Sequence, residues 1–196
     1  MPASESKLRV YVPATVPMLR ELVEQRELRA VGSTAFAVTP ALREAYASGD
    51  DEELAEVAMG EAARAALRLI AAERDAITEA MAAGDEPDDA DDDAPATLPD
   101  APVYRRAVIA ADVTGAKLRP DLDDAVVRLS GPITYDRIAS VHVDLADAEP
   151  AVAKAVDVID AADLGDPDAE FVLGDAEDHQ LAWYAAQELP FLLELL

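Results

Sequence analysis

The chain has 196 residues, of which 51% are hydrophobic, with 41 Asp+Glu against 16 Lys+Arg, a formal net charge of -25, two His, one Trp and no Cys. A chain of this size and apolar content can bury the core of one ordinary domain or two small ones. Its charge excludes a phosphate-backbone or anionic-membrane partner, and the lack of cysteine excludes disulfides, thiolate zinc sites, iron–sulfur clusters and a cysteine nucleophile.

Leu8 to Val12 alternates apolar and polar residues as a half-buried strand does. Thr15 and Pro17 then form a cap and first turn, predicting a helix to about Leu28. Thr34 to Val38 reads as a short strand, and Thr39-Pro40 opens a helix that stops before Gly49. The acidic run Asp50 to Glu53 suits the N-terminus of a helix reaching about Ala82, roughly 45 Å long, with Gly60 as the place for a break.

Arg105 to Val113 reads as a buried strand and Ala125 to Leu129 as another, with turns at Gly115, Pro120 and Gly131-Pro132. A helical turn at Tyr135 to Ile138 precedes an alternating strand from Ala139 to Leu145. Glu149-Pro150 opens a helix that ends by Gly165. Phe171 to Leu173 and Leu181 to Tyr184 are then expected as short strands, and Leu189 to Leu196 as an apolar end docking on the body.

This order predicts the α+β class: a two-layer, ferredoxin-like sheet with a largely helical insertion or N-terminal part. Residues 1–83 form the strand–helix start and helical region, 84–103 an acidic disordered linker, and 104–196 an α+β region sharing one sheet with residues 8–12. The linker expectation rests on self-repelling acids, four prolines and a single large aliphatic residue, Leu98, between Gly84 and Pro102. Charge is uneven along the chain: residues 143–196 carry 14 acidic residues and one basic residue, Lys154, whereas residues 104–142 are nearly balanced.

No stretch of about 18 apolar residues exists, and Met1 to Lys7 lacks the apolar core of a signal peptide, so a soluble, cytoplasmic protein without a membrane span is expected. Phosphate-binding glycine loops and the serine nucleophile elbow are absent. Asp163, Asp166, Asp168 and Glu170 match a calcium loop only loosely, lacking its central Gly and terminal bidentate Glu. No cofactor is therefore expected.

Two loci remain. His142 and Asp144 are two apart on a strand and share a face; with His179 they would make a two-His, one-carboxylate metal set if the loci met in space. The other locus is the acidic, aromatic C-terminal stretch holding Asp175, Glu177, Asp178, Trp183 and Tyr184, where Trp and Tyr suit an interface anchor.

The phrases L-R-V-Y-V-P-A-T, T-A-F-A-V-T-P-A-L-R-E, I-A-S-V-H-V-D and D-A-E-D-H-Q-L-A-W-Y-A-A-Q-E-L-P resemble a family of actinobacterial proteins known only as a domain of unknown function. The likeness covers nearly the whole chain apart from the acidic linker. It implies a bacterial, cytoplasmic setting and carries no activity, cofactor or catalytic residue with it.

The function expected from the residues is a non-enzymatic acidic binding or regulatory protein. Its partner would be a protein with a basic surface, met by the acidic C-terminal half and the aromatic anchors, and the C-terminal apolar segment offers a self-association surface. The alternative is an enzyme with a metal or small-molecule site at His142, Asp144 and His179.

Overall fold

A computed structural model of the chain describes residues 7–83 and 101–196. The acidic linker expected at 84–103 lies, but for its last three residues, outside the described residues.

The first strand, β1 (Leu8–Ala14), turns Val10, Val12 and Ala14 to one side and Tyr11 to the other, as its alternation requires. Thr15 stops it and accepts the Met18 N–H, capping α1 (Val16–Gln25), with proline in the first turn. This helix ends earlier than its apolar spacing predicts, because Arg26 takes a left-handed conformation at φ 58° and directs the chain into β2 (Glu27–Leu28). Thr39 repeats the cap between β3 (Thr34–Phe36) and α2 (Pro40–Ala45), accepting the Leu42 N–H at 3.1 Å.

A reciprocal capping box of Asp50 and Glu53 starts α3 (Asp51–Ala82). It runs 32 residues without a break at Gly60, about 48 Å at the usual rise.

The second half of the chain contributes β4 (Ala107–Val113), β5 (Lys117–Leu118), β6 (Val126–Arg128), β7 (Ile133–Thr134) and β8 (Ile138–Val143). Then follow α4 (Glu149–Asp163), α5 (Pro167–Glu177), β9 (Ala182–Ala185) and α6 (Leu189–Glu194). The expected strand at Phe171 to Leu173 is instead the middle of α5. Asp166 accepts the backbone N–H groups of Asp168 and Ala169 and starts that helix, with Pro167 in its first turn.

Seven strands form one sheet in the order β5-β6-β3-β1-β4-β8-β9, every ladder antiparallel, and β2 pairs β7 separately. The central ladder joins β1 to β4 over seven pairs, from Leu8 opposite Val113 to Ala14 opposite Ala107. Flanking β1 on its two sides, β3 and β4 run parallel to each other and are linked through α2 and α3, a split β-α-β arrangement.

Both faces of this sheet are covered. On one, Val12, Ile109 and Val141 meet Leu19 and Leu22 of α1 and Leu189 and Leu192 of α6. On the other, Phe36, Val108 and Val126 meet Leu54, Ala58 and Ala62 of α3. Farther along α3, Leu67 and Ile70 pack with Val152, Val156 and Ile159 of α4 and Leu173 of α5. The mixed helix-and-sheet class is as expected; the ferredoxin-like, two-layer form is not confirmed, since helices lie against both faces. No helix among the described residues is long and apolar enough to cross a membrane.

Candidate functional site

The site begins where β4 and β8 end side by side. Arg106 precedes β4 and Asp144 follows β8, and the ladder brings them together by pairing Ala107 with Val143. The Asp144 N–H donates to the Arg106 carbonyl at 3.0 Å. The carboxylate takes the Arg106 backbone N–H and Nε on Oδ2 and Nη2 on Oδ1, each at 2.8 Å. Both residues are 1% exposed. A bidentate pair this deep balances the large desolvation cost of each ion, so removing either partner strands a buried charge.

Arg106 has a second task. Its Nη2 also donates to the His179 carbonyl at 2.8 Å, fixing the segment that leaves α5. That segment, Glu177 to Leu181, faces the α3 turn from Glu56 to Arg64 across a cleft of about 600 Å³, with Arg106 among its lining. This volume lies in the range of small-ligand sites. The cleft is open at Gly60, where an added Cβ would meet no atom within 4 Å.

Charge in the cleft is unbalanced toward acid. Arg64 is committed to Glu170, at 2.6 and 3.1 Å, and lies 3.7 Å from Glu177 and 3.9 Å from Asp163. Glu56 and Glu61 have no ion pair among the described residues. Burial, and then the neighbouring Asp123 carboxylate, push the Glu61 carboxyl above the usual carboxylate range, with Arg64 partly offsetting them.

The His142, Asp144 and His179 set is not assembled. His142 Nε2 lies 3.1 Å from Ser140 Oγ, Asp144 is held by Arg106, and His179 lines the cleft. No group of three His, Cys, Asp or Glu side chains able to hold a metal exists among the described residues. Burial lowers the pKa of His142 below the usual imidazole value.

Asp175, Glu177 and Asp178 are exposed at the C-terminal end of α5. Trp183 and Tyr184 follow on β9 but point to opposite faces of the sheet. Trp183 lies opposite His142 and is 61% exposed, whereas Tyr184 lies opposite Val141 and packs on the core beneath α1 and α6. In the apolar C-terminal segment, Leu189 and Leu192 are buried while Phe191 and Leu195 are exposed.

As the last strand in the order, β9 leaves one edge of the sheet unpaired among the described residues. The Ala185 N–H, on that outer side, donates to Glu188. Antiparallel alternation turns the backbone of Trp183 the same way.

Sequence reasoning missed Arg106 and the cleft, because their parts come from residues 56–64, 106 and 177–181. The legible signal was a pair of arginines opening a largely apolar strand, and one carboxylate closing another.

No curated protein and no solved structure matches the chain. One family model, described as a family of unknown function (DUF6912), matches residues 8–193, and the chain belongs to that family.

Proposed function

We propose that the protein binds a protein partner, adding an extended basic segment of that partner to its sheet along β9. The observation that carries this reading is the exposed Trp183, 61% accessible on a strand whose outer edge pairs with no other strand among the described residues. A sheet edge offers unpaired backbone groups to an incoming strand, and side-chain pockets beside it supply selectivity. An exposed tryptophan is the residue type enriched among interface anchors. Asp175, Glu177 and Asp178, on the helix that leads into this strand, supply negative charge that attracts a basic segment and orients it.

Much of the C-terminal acid is already used within the chain. Asp157, Asp163 and Glu170 pair with Arg74, Arg68 and Arg64 of α3, and Glu177 lies 3.7 Å from Arg64, whereas Asp175 and Asp178 have no ion pair among the described residues.

The test is a peptide of about eight residues alternating Lys and Val, chosen to match a half-buried strand. It should quench or shift the emission of Trp183, the only tryptophan, and protect the β9 amides from hydrogen exchange. The same peptide with N-methylated backbone keeps its charge but cannot add a strand. Equal binding of both peptides, or no protection of β9, sinks the reading.

A further inference from the structure

We propose that the cleft between α3 and Glu177 to Leu181 seats one lysine or arginine side chain of that basic segment. This rests on the strand-edge reading, and it assigns a pocket that the reading leaves empty.

Three independent features of the cleft select this ligand chemistry. The first is shape: about 600 Å³ holds a long side chain, and the bare Gly60 backbone keeps one wall open. The second is charge. Glu56 and Glu61 lack an ion pair among the described residues, Glu61 is half-buried, and a cation beside it offsets the burial, and after it the Asp123 repulsion, that raise its pKa. Val57, Met59 and Leu181 offer the methylene stem an apolar path to that charge.

The third feature is Arg106, 1% exposed and yet part of the lining. It spends Nε and Nη2 on Asp144 and the His179 carbonyl, and its Nη1 has no hydrogen-bond partner among the described residues. Glu73 Oε2, not Nη1, is the buried orphan among the described residues, so Nη1 keeps contact with water in the cleft that a ligand carbonyl can replace. A peptide residue brings both complements, a cationic tip for Glu61 and a backbone carbonyl for Nη1. A simple metal ion brings neither the stem nor the acceptor.

Continuity with the strand edge favours a peptide. Glu177, His179, Gln180 and Leu181 line the cleft, and the next residue, Ala182, begins β9. A segment laid along β9 therefore begins next to the residues that line the cleft.

The probe is Nα-acetyl-arginine methylamide, which carries the guanidinium and two peptide carbonyls, with n-butylguanidinium as a monocation lacking them. Titration followed by the ring signals of His179, a residue of the cleft lining, reads binding to the intact chain. The expected result is saturable binding in the millimolar range, about 4 kcal/mol, with n-butylguanidinium several-fold weaker. Glu61→Gln should weaken the probe about fivefold or more. Gly60→Leu should abolish binding while keeping the far-UV spectrum, since leucine favours a helix interior over glycine.

No saturation with either compound, or equal binding in both variants, overturns the assignment. A basic peptide that protects β9 equally in the wild type and in Gly60→Leu also overturns it, while leaving the strand-edge reading intact. Loss of peptide binding in Trp183→Ala with the probe still bound supports both proposals, the anchor on β9 and the separate seat in the cleft.

Discussion

The Arg106 guanidinium and the Asp144 carboxylate face each other through Nε–Oδ2 and Nη2–Oδ1 contacts of 2.8 Å, with 2% and 0% of their side chains exposed. They close the end of the β4–β8 ladder and carry the loop at His179. Asp144→Ala should therefore cost about 3–5 kcal/mol, far more than any surface ion pair, because it leaves a buried cation without a partner. Urea denaturation measures this. The double variant Arg106→Met, Asp144→Leu should recover a large part of the loss, and failure to recover any would mean the backbone hydrogen bonds, not the charges, dominate.

Glu73 sits on α3 with one carboxylate oxygen accepting from the Thr15 hydroxyl and the other buried without a partner among the described residues. Burial raises its pKa above 4.5, with the Thr15 hydrogen bond working the other way. A raised carboxyl pKa in the folded state means that stability is fully present below the unfolded value and declines as pH climbs through the folded one. Glu73→Gln should remove that decline. The variant's urea midpoint should match the wild type at about pH 4 and exceed it at pH 7; an unchanged gap across that range would be inconsistent with the buried carboxyl.

His142 gives the opposite slope. Its folded pKa is lowered by burial from 6.5, so stability is present above pH 6.5 and declines as pH falls through the folded value. Two histidine signals in a proton spectrum are enough to see it. The His142 resonance, assigned by His142→Gln, should titrate below 6.5; a normal titration would mean its ring is solvated.

The Arg64 clasp on α5 predicts a salt effect. With two short contacts to Glu170, Arg64→Ala should lower stability by about 1 kcal/mol, a modest amount because the pair is partly solvated. The loss should shrink between about 0.05 and 0.5 M NaCl as screening shortens. Thermal denaturation at the two salt concentrations tests it, and a loss independent of salt would assign the effect to the arginine's packing.

Trp183 allows a direct probe of the field around the sheet edge. In a chain of net charge -25, quenching by iodide, relative to that of free N-acetyl-tryptophanamide, should fall below the same ratio for caesium at low ionic strength, and the two ratios should converge at high salt. Equal ratios at low salt would show that the acid does not reach this edge.

Local chemistry was readable where a single residue type decides the backbone. Thr15 and Thr39, each followed closely by proline, marked both helix starts, and both side chains accept an N–H there. The α1 end was misplaced because Arg26 has no signature of its left-handed turn, such as Gly or Asn. Phe171 to Leu173 looked like a strand because three apolar residues adjoin. Only Leu173 is buried there and Phe171 is 77% exposed, so the helix buries one side of a run that a strand pattern reads as continuous. The Arg106–Asp144 pair spans 38 residues and the cleft about 120, separations that no local pattern encodes.

The arginine row of α3 answers a question raised by charge alone. Arg64, Arg68 and Arg74 belong to the first part of the chain, and their carboxylates belong to α4 and α5 in the acidic last part. These ion pairs and the seven-pair β1–β4 ladder tie the two parts of the chain together. Cleaving the chain anywhere between residues 84 and 100 would leave two fragments that hold each other as a non-covalent heterodimer, and because both carry net negative charge the two pieces made separately should find one another faster at high salt than at low.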